Sequence, residues 1–301
     1  MTIIDTHQHL WNLDRFQPPW LGEVPPPLSE RHTTAEYLEH TDGLDVAGAV
    51  YMEADVAPED QVAEAEWIIG LCESSDHPTR AAVISGRPEH DDFESRVDQF
   101  KDYPFIKGFR RVLQVDEVPP GCCLEQRFVR SVQYLGEVGL SYDICIRPRE
   151  LDDAVKLVEQ CPGTRFILDH CGNADPKAFL SADRTGGGEP WHDAELWKRS
   201  MAEIAKFDNV VCKISGLVAR APADWAAEDL AEPVNHCLDE FGPDRVVFGS
   251  DWPVVRLTAS FKRWVAALQE IVRERSEEDQ KKLFHDNAVR LYGLTSRFTR
   301  A

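Results

Sequence analysis

The stretch Ile3–Leu10, with the sequence IIDTHQHL, decides how the rest of the chain is interpreted. An apolar β-rich start ends in two histidines. Side chains two positions apart on a strand point to the same face, so we expect Asp5, His7 and His9 to share the inner face of a sheet. Two imidazoles on one face can bind one divalent cation. The stretch therefore predicts a strand that ends in a candidate metal site.

Seven further β-rich runs follow, and helical stripes separate them. The stripe Phe261, Trp264, Val265 and Leu268 lies on one helical face. Near-continuous apolar strands are typical of a parallel sheet covered on both faces. Eight such strands alternating with helices favour an α/β fold, a closed (β/α)8 TIM barrel forming a single domain over residues 1–301, over an open doubly wound sheet. The predicted strands are Ile3–Leu10, Val46–Glu53, Arg80–Arg87, Phe105–Arg111, Leu140–Arg147, Arg165–His170, Val210–Gly216 and Arg245–Asp251.

The amino-acid composition limits the classes of molecule that the protein is expected to bind. The chain has 33 Lys and Arg against 53 Asp and Glu, a formal net charge of −20. This charge argues against binding to nucleic acid or to an anionic membrane. The chain has neither a long apolar run nor a secretory leader pattern, and its eight cysteines are scattered without a Cys-x-x-Cys pair. These features predict reduced, buried thiols in a cytoplasmic protein.

Two later strands also end in polar residues. Residues 166–172 read FILDHCG, and residues 247–253 read VFGSDWP. His170 and Asp251 fall at the predicted strand ends, whereas alternation turns Asp169 away from the face of His170. The carboxyl ends of barrel strands meet at one mouth. We therefore expect His7, His9, His170 and Asp251 to converge there as ligands for zinc or a similar divalent ion.

The expected locations of the loops and of the remaining histidines follow from their positions relative to the predicted strands. Two long insertions, Phe16–Pro27 and Gly172–Trp191, follow strand ends, where loops either build the site or merely connect elements. His192 follows the second insertion and can approach the mouth. The remaining histidines are predicted at the surface, namely His32, His40, His77, His90, His236 and His285.

Four segments together resemble a known family. They are DTHQHLW at 5–11, DHCG at 169–172, GSDWP at 249–253 and HDNAVRLYGL at 285–294. In this order they resemble the amidohydrolase-2 group, within the branch of sugar lactonases and 2-pyrone-4,6-dicarboxylate lactonases. The resemblance implies a (β/α)8 barrel that directs water onto a lactone carbonyl. It implies carbonyl polarisation by His7, His9 and His170 and water activation by Asp251. Some members use zinc and others no metal, so metal-free operation stays open.

Basic and acidic residues near the mouth remain alternatives at this stage. Glu53 stands where many relatives carry Gln. It is interpreted equally as a metal ligand, as a hydrogen-bond acceptor for His7 or His9, or as half of a salt bridge. Arg110 and Arg111 end the fourth strand, and at most one faces inward to bind substrate. Arg147 and Lys213 are weaker substrate-binding candidates.

The residues and the resemblance leave three functions open. The first is a hydrolase that opens a carbohydrate-derived or carboxylated lactone, such as L-fuconolactone or L-rhamnonolactone. The second is a metal-dependent, non-oxidative decarboxylase of an aromatic or enol-like acid, in which Asp251 protonates carbon. The third is a barrel that binds a sugar acid without turnover. All three functions require a small-molecule ligand, and each is compatible with an oligomeric protein.

Overall fold

Eight parallel strands form one barrel in the computed structural model of the protein, which describes residues 1–74 and 77–294. Each strand pairs with the next in chain order. The barrel closes where Gln8 bridges Trp252 in parallel and the Asp251 amide donates to the His7 carbonyl at 3.0 Å. The predicted TIM barrel is confirmed. The strands are β1 (Ile3–Gln8), β2 (Val46–Met52), β3 (Thr79–Ser85), β4 (Ile106–Val112), β5 (Ser141–Cys145), β6 (Arg165–Leu168), β7 (Val210–Ile214) and β8 (Val246–Phe248).

Helices follow the strands and cover the outside of the barrel. Short 3-10 turns, such as Pro58–Asp60, Pro148–Glu150 and Leu217–Arg220, link several strands to the next helix. The helices are α1 (Thr34–Thr41), α2 (Gln61–Glu73), α3 (Phe93–Phe100), α4 (Gln126–Glu137), α5 (Leu151–Gln160), α6 (Ala194–Ile204), α7 (Ala227–Phe241), α8 (Phe261–Ile271), α9 (Glu277–Lys281) and α10 (Asn287–Tyr292).

Helix α8 shows how sequence pattern becomes packing. The Ser260 hydroxyl accepts a hydrogen bond from the Arg263 amide at 3.1 Å and caps the first turn. The stripe Phe261, Trp264 and Leu268 is fully buried against the sheet, as its spacing predicts. Burying each large apolar side chain contributes roughly 1.5–3 kcal/mol, so the stripe fixes which face of α8 meets the barrel.

The barrel interior changes from apolar to charged along its axis. A core of alternate strand residues, which includes Ile4, Val50, Val83, Ile167 and Val247, fills the lower part. Ala288 and Tyr292 of α10 pack against this core and close the bottom of the barrel. Above this apolar core, on the side of the mouth, the buried charged side chains of Asp143, Asp169 and Lys213 form ion pairs with one another.

Burial tests several sequence expectations. All eight cysteines are free and buried, as predicted. His32 and His77 are buried as well, so their surface assignment is wrong. His32 leaves the surface because its backbone pairs with Trp11 and its Nε2 lies 2.8 Å from the Pro27 carbonyl, which anchors the first insertion. No helix in residues 1–74 or 77–294 has the length and apolar character needed to cross a bilayer.

All strands except β4 end sooner than the sequence indicates. Strand β6 stops at Leu168 and β8 at Phe248, two and three residues before the predicted ends. The reason is local: His170 and Asp251 have φ of 57° and 58°, a left-handed conformation that no strand ladder accommodates. Both residues therefore leave the sheet where they enter the mouth.

Candidate active site

Two histidines of β1 and its extension meet at the mouth. His7 Nε2 lies 3.1 Å from His9 Nε2. Their rings stand nearly edge to face, with an interplanar angle of 71°. Both residues are buried, with 0% and 6% of their surface exposed. This separation is close to that of two nitrogens that bind one zinc ion at about 2.0–2.1 Å each.

The hydrogen bonds of the two Nδ1 atoms determine the tautomers of His7 and His9, and so whether each Nε2 carries a lone pair. His9 Nδ1 lies 3.0 Å from the Met52 carbonyl, which can only accept, so Nδ1 carries the proton. His7 Nδ1 faces the Asp169 carboxylate at 3.4 Å, which favours the same tautomer. Burial lowers the pKa of His7 well below its usual value, so the ring is neutral. Two Nε2 lone pairs therefore face each other across 3.1 Å, an arrangement that a shared cation stabilises.

Asp251 completes this group. Its Oδ1 lies 3.5 Å from His9 Nε2 and 3.7 Å from His7 Nε2. Ligand atoms of His7, His170 and Asp251 all lie within 4.8 Å of one another. The Asp251 carboxylate thus lies close both to the pair His7 and His9 and to the pair His7 and His170, and imidazole nitrogens with a carboxylate oxygen are donors suited to a divalent ion of zinc's type.

His170 reaches the mouth by a different route from β1. Its Nδ1 lies 2.9 Å from the Ser215 hydroxyl, which follows β7, and its ring centroid is 4.4 Å from that of His7. Burial lowers the pKa of His170, so this ring is also neutral. A Cβ at Gly216 would stand 2.5 Å from the ring, at a φ of +74°. Only glycine at this position leaves room for His170 in its observed pose.

Asp5 and Asp169 occupy faces opposite to those that simple alternation predicts. Asp5 turns towards α1, where Tyr37 donates to its Oδ2 at 2.9 Å, and it also accepts from Ser250. A register shift between Asp5 and Gln8 removes the period-two relation between Asp5 and His7. Asp169 continues the inward side of β6, and the positive φ of His170 lets the His170 side chain face the same side, where both residues contact His7.

A buried charge network supports the histidines from below. Lys213, fully buried, lies 3.0 Å from Asp143 and 2.8 Å from Asp169. Burial alone raises the pKa of Asp169, but the Lys213 ammonium and the His7 ring together hold it well below its usual value. Asp169 is therefore an anion that orients His7.

Arg110, not Arg111, is the fourth-strand arginine that faces this network. It is 4% exposed, and its Nε donates to Glu53 Oε1 at 2.6 Å. Its Nη1 lies 3.4 Å from both Asp169 and His7 Nε2. Of the three interpretations of Glu53, the structure therefore shows the salt bridge. In this ion pair, Arg110 lies between Glu53 and the histidines. Arg111 instead pairs with Glu89 at 2.9 Å on the outer side.

Three other residues that the sequence suggested for the mouth make structural contacts within the protein instead. Arg147 donates to Glu150 at 2.5 Å and to the carbonyls of Val115 and Val118, which fixes the loop after β4. Lys213 has no exposed surface with which to contact a substrate. His192 accepts from the Asp175 amide at 2.8 Å and anchors the second insertion.

Sequence reasoning missed a cation on the mouth's rim. Arg220, at the end of the 3-10 turn after β7, stacks 3.7 Å above the Trp191 ring from the second insertion. It has no carboxylate within salt-bridge distance among the described residues, and the carboxylates that act on it at longer range are Asp175 and, more weakly, Asp251. Asp169, Ser215 and Arg220 were all missed because their contacts join elements distant in sequence, and only the motif position of Asp169, beside His170, gave a signal.

Comparison with known proteins gives the chain its relatives. The family profile described as Amidohydrolase matches residues 4–294. The chain is 29% identical over 304 residues to L-fucono-1,5-lactonase of Burkholderia multivorans, which covers 97% of this chain and 96% of that protein. It is 23% identical to L-rhamnono-gamma-lactonase of Scheffersomyces stipitis, over 97% and 98% of the two chains. A crystal structure of a Burkholderia multivorans amidohydrolase with bound zinc superposes with a TM-score of 0.80 at 25% identity, over 97% and 99% of the chains.

Proposed function

The chain belongs to the amidohydrolase family, and from this premise we propose that it hydrolyses a lactone of a sugar acid. The observation that carries the proposal is the convergence of two Nε2 lone pairs and the Asp251 carboxylate at the barrel mouth. The lactonase names of two relatives, matched over nearly the whole chain, support a cyclic ester as the substrate.

We further propose that His7, His9, His170 and Asp251 hold a divalent ion, with zinc favoured by the nitrogen-rich donor set. The zinc-bound relative supports this choice. When bound, such an ion polarises a carbonyl oxygen and lowers the pKa of a water towards about 7. Glu53 is left out of the proposed ligands because its oxygens accept from Arg110 and from the Asp55 amide, at 2.6 and 2.7 Å.

The protein's own groups supply the proton transfers. Asp251 accepts a proton from the water that attacks the lactone carbonyl, and a new carbon–oxygen bond forms. The ring carbon–oxygen bond then breaks, and Asp251 returns the proton to the departing ring oxygen. The product is an open-chain hydroxy acid, and one acid equivalent is released in each turnover.

Arg220 is the group that we assign to orient the substrate. Its guanidinium is half-buried and stacked on Trp191, so its fork is held rigidly beside the mouth. A planar guanidinium donates two parallel hydrogen bonds to ring hydroxyls or to a carboxylate. Arg220 can therefore bind the polar edge of the lactone and the carboxylate of the product.

A panel of five- and six-membered sugar lactones tests the reaction. Acid release is followed with a pH indicator, and carbon dioxide release from aromatic acids is measured in parallel. We expect acid release from at least one sugar lactone and no carbon dioxide. Carbon dioxide from an aromatic acid without lactone opening would make the protein a decarboxylase, and lactone recovered unchanged from a bound complex would make it a binding barrel.

Metal removal tests the ligand set separately. Dialysis against a chelator should abolish lactone opening, and one equivalent of zinc per chain should restore it. His9→Gln should lower zinc content, whereas His90→Gln, at an exposed site, should not. Full activity in protein shown by elemental analysis to lack metal would contradict the metal assignment and leave the barrel's own cations to polarise the carbonyl.

A further inference from the structure

Three cysteines from three separate elements meet outside the barrel, in the layer between the sheet and the helices. Cys171 follows β6, Cys212 lies on β7 and Cys237 lies on α7. Each thiol is fully buried, with 0% of its surface exposed. The three Sγ atoms lie within 4.8 Å of one another. We call these residues the thiol cluster.

Apart from the thiols themselves, the cluster's hydrogen-bond contacts come from the backbone. Cys171 accepts hydrogen bonds from the Cys212 and Cys237 thiols, and its Sγ lies 3.8 Å from the Lys213 carbonyl. The Lys213 ammonium points the other way, into the barrel, where it pairs with Asp143 and Asp169. The thiols are therefore surrounded by the apolar core, with no cation from this chain to neutralise a thiolate among the described residues.

The net charge of the bound complex determines which ion such a buried site can accept. Three thiolates around a divalent ion leave a net negative charge in an apolar layer, which costs several kcal/mol without a partner. A trivalent centre bound to three thiolates is neutral. Soft sulfur ligands also select soft acceptors.

From this geometry we propose that Cys171, Cys212 and Cys237 form a binding site for a trivalent thiophilic centre of the arsenite class. The reaction is a condensation that leaves every oxidation state unchanged. Arsenous acid and three thiols exchange three arsenic–oxygen bonds for three arsenic–sulfur bonds. Three thiol protons leave with three hydroxyl groups as three water molecules, so no charge remains in the core.

The site is joined to the barrel mouth through the chain. Cys171 has φ of 52° and lies directly after His170, in a turn whose residues 170–173 all have positive φ. Bridging Cys171 to Cys212 and Cys237 fastens this turn to β7 and α7. Occupancy of the thiol cluster therefore restrains the backbone that presents His170.

Arsenite added to the native, reduced protein tests the proposal. Intact-mass analysis should show an adduct with the mass of one arsenic atom less three hydrogens, and X-ray absorption should show three sulfur neighbours and no oxygen. The adduct should be lost in Cys212→Ser and in Cys237→Ala. It should persist in Cys161→Ser, which changes an equally buried thiol whose Sγ lies 3.7 Å from the Val129 carbonyl.

The adjacent pair Cys122 and Cys123 supplies the main competing site. An adduct on two thiols keeps one hydroxyl on arsenic, so its mass and its sulfur count differ from those of a three-thiol adduct. A two-sulfur adduct that disappears in Cys122→Ser would overturn the proposal. So would the absence of any adduct on the wild-type protein, a measurement that does not depend on the folding of a variant.

Discussion

Replacing Asp169 by Asn tests the charge network beneath the histidines. Asp169 Oδ1 lies 2.8 Å from Lys213 Nζ and 3.4 Å from His7 Nδ1, and Oδ2 lies 3.4 Å from Arg110. Asp169→Asn keeps the shape but removes the negative charge shared by these three groups. Losing one partner of a buried pair costs about 3–5 kcal/mol when nothing else compensates.

Compensation reduces that magnitude here. Lys213 keeps Asp143 at 3.0 Å, and Arg110 keeps Glu53 at 2.6 Å. We therefore expect Asp169→Asn to lower the free energy of unfolding at pH 7 by about 2–3 kcal/mol, below the full cost of an orphaned charge. His7 loses the carboxylate that sets its tautomer, so zinc affinity or kcat/KM should fall by about 10–100-fold.

Urea unfolding and kcat/KM on the lactone identified by the panel are the assays, with exposed Asp208→Asn as the control. The folded pKa of Asp169 is depressed, so its contribution to stability is present above the unfolded pKa of about 3.9 and is lost as the pH falls through the folded pKa. The stability gap between wild type and variant should therefore shrink in acid. A variant as stable and as active as wild type at pH 7, or a gap that widens in acid, would refute this reasoning.

Three further predictions follow from neighbouring contacts. Lys213→Met should cost about 3–5 kcal/mol at pH 7.5 in urea unfolding. Burial already raises the pKa of Asp143 to about 6, and losing Lys213 raises it further, so Asp143 of the variant is protonated at a pH where the wild-type carboxylate is still ionised. The cost should therefore be smaller at pH 6 than at pH 7.5, and an equal cost at both pH values contradicts this. Gly216→Ala should lower kcat/KM at least about tenfold, because the new Cβ displaces His170 and the positive φ adds about 1–2 kcal/mol of strain. Unchanged kinetics would show that the His170 ring can move aside without loss of function. Arg220→Ala should raise KM by roughly tenfold or more, the value of a hydrogen bond to a charged group, with a smaller change in kcat; a loss confined to kcat would assign Arg220 to the chemical step instead.

The sequence was sufficient for the barrel because burial on both faces leaves a simple signature. A continuous apolar run such as Val246–Phe248 indicates a strand that is buried on both faces, and a stripe such as that of α8 follows from the helical period of 3.6 residues. The proximity of the four motif side chains was also expected from the sequence, because all parallel strands deliver their carboxyl ends to one mouth, whereas their role in a site stays a prediction.

Side-chain direction at the mouth was not predictable, because alternation holds only inside a regular ladder. The register shift after Asp5 and the left-handed φ of His170 each reverse the expected face. Contacts between distant elements, such as Ser215 with His170 or Arg220 with Trp191, depend on barrel closure and loop course. No local pattern encodes these contacts.

The most direct test of the central claim compares lactone opening by wild type and by Asp251→Asn, both loaded with zinc. Initial rates of acid release are measured at saturating L-fucono-1,5-lactone, or at the lactone that the panel identifies. If Asp251 accepts the proton of the attacking water, the rate should fall by about 10²–10⁴-fold while lactone binding changes less. An Asp251→Asn protein that opens the lactone at the wild-type rate would contradict the account.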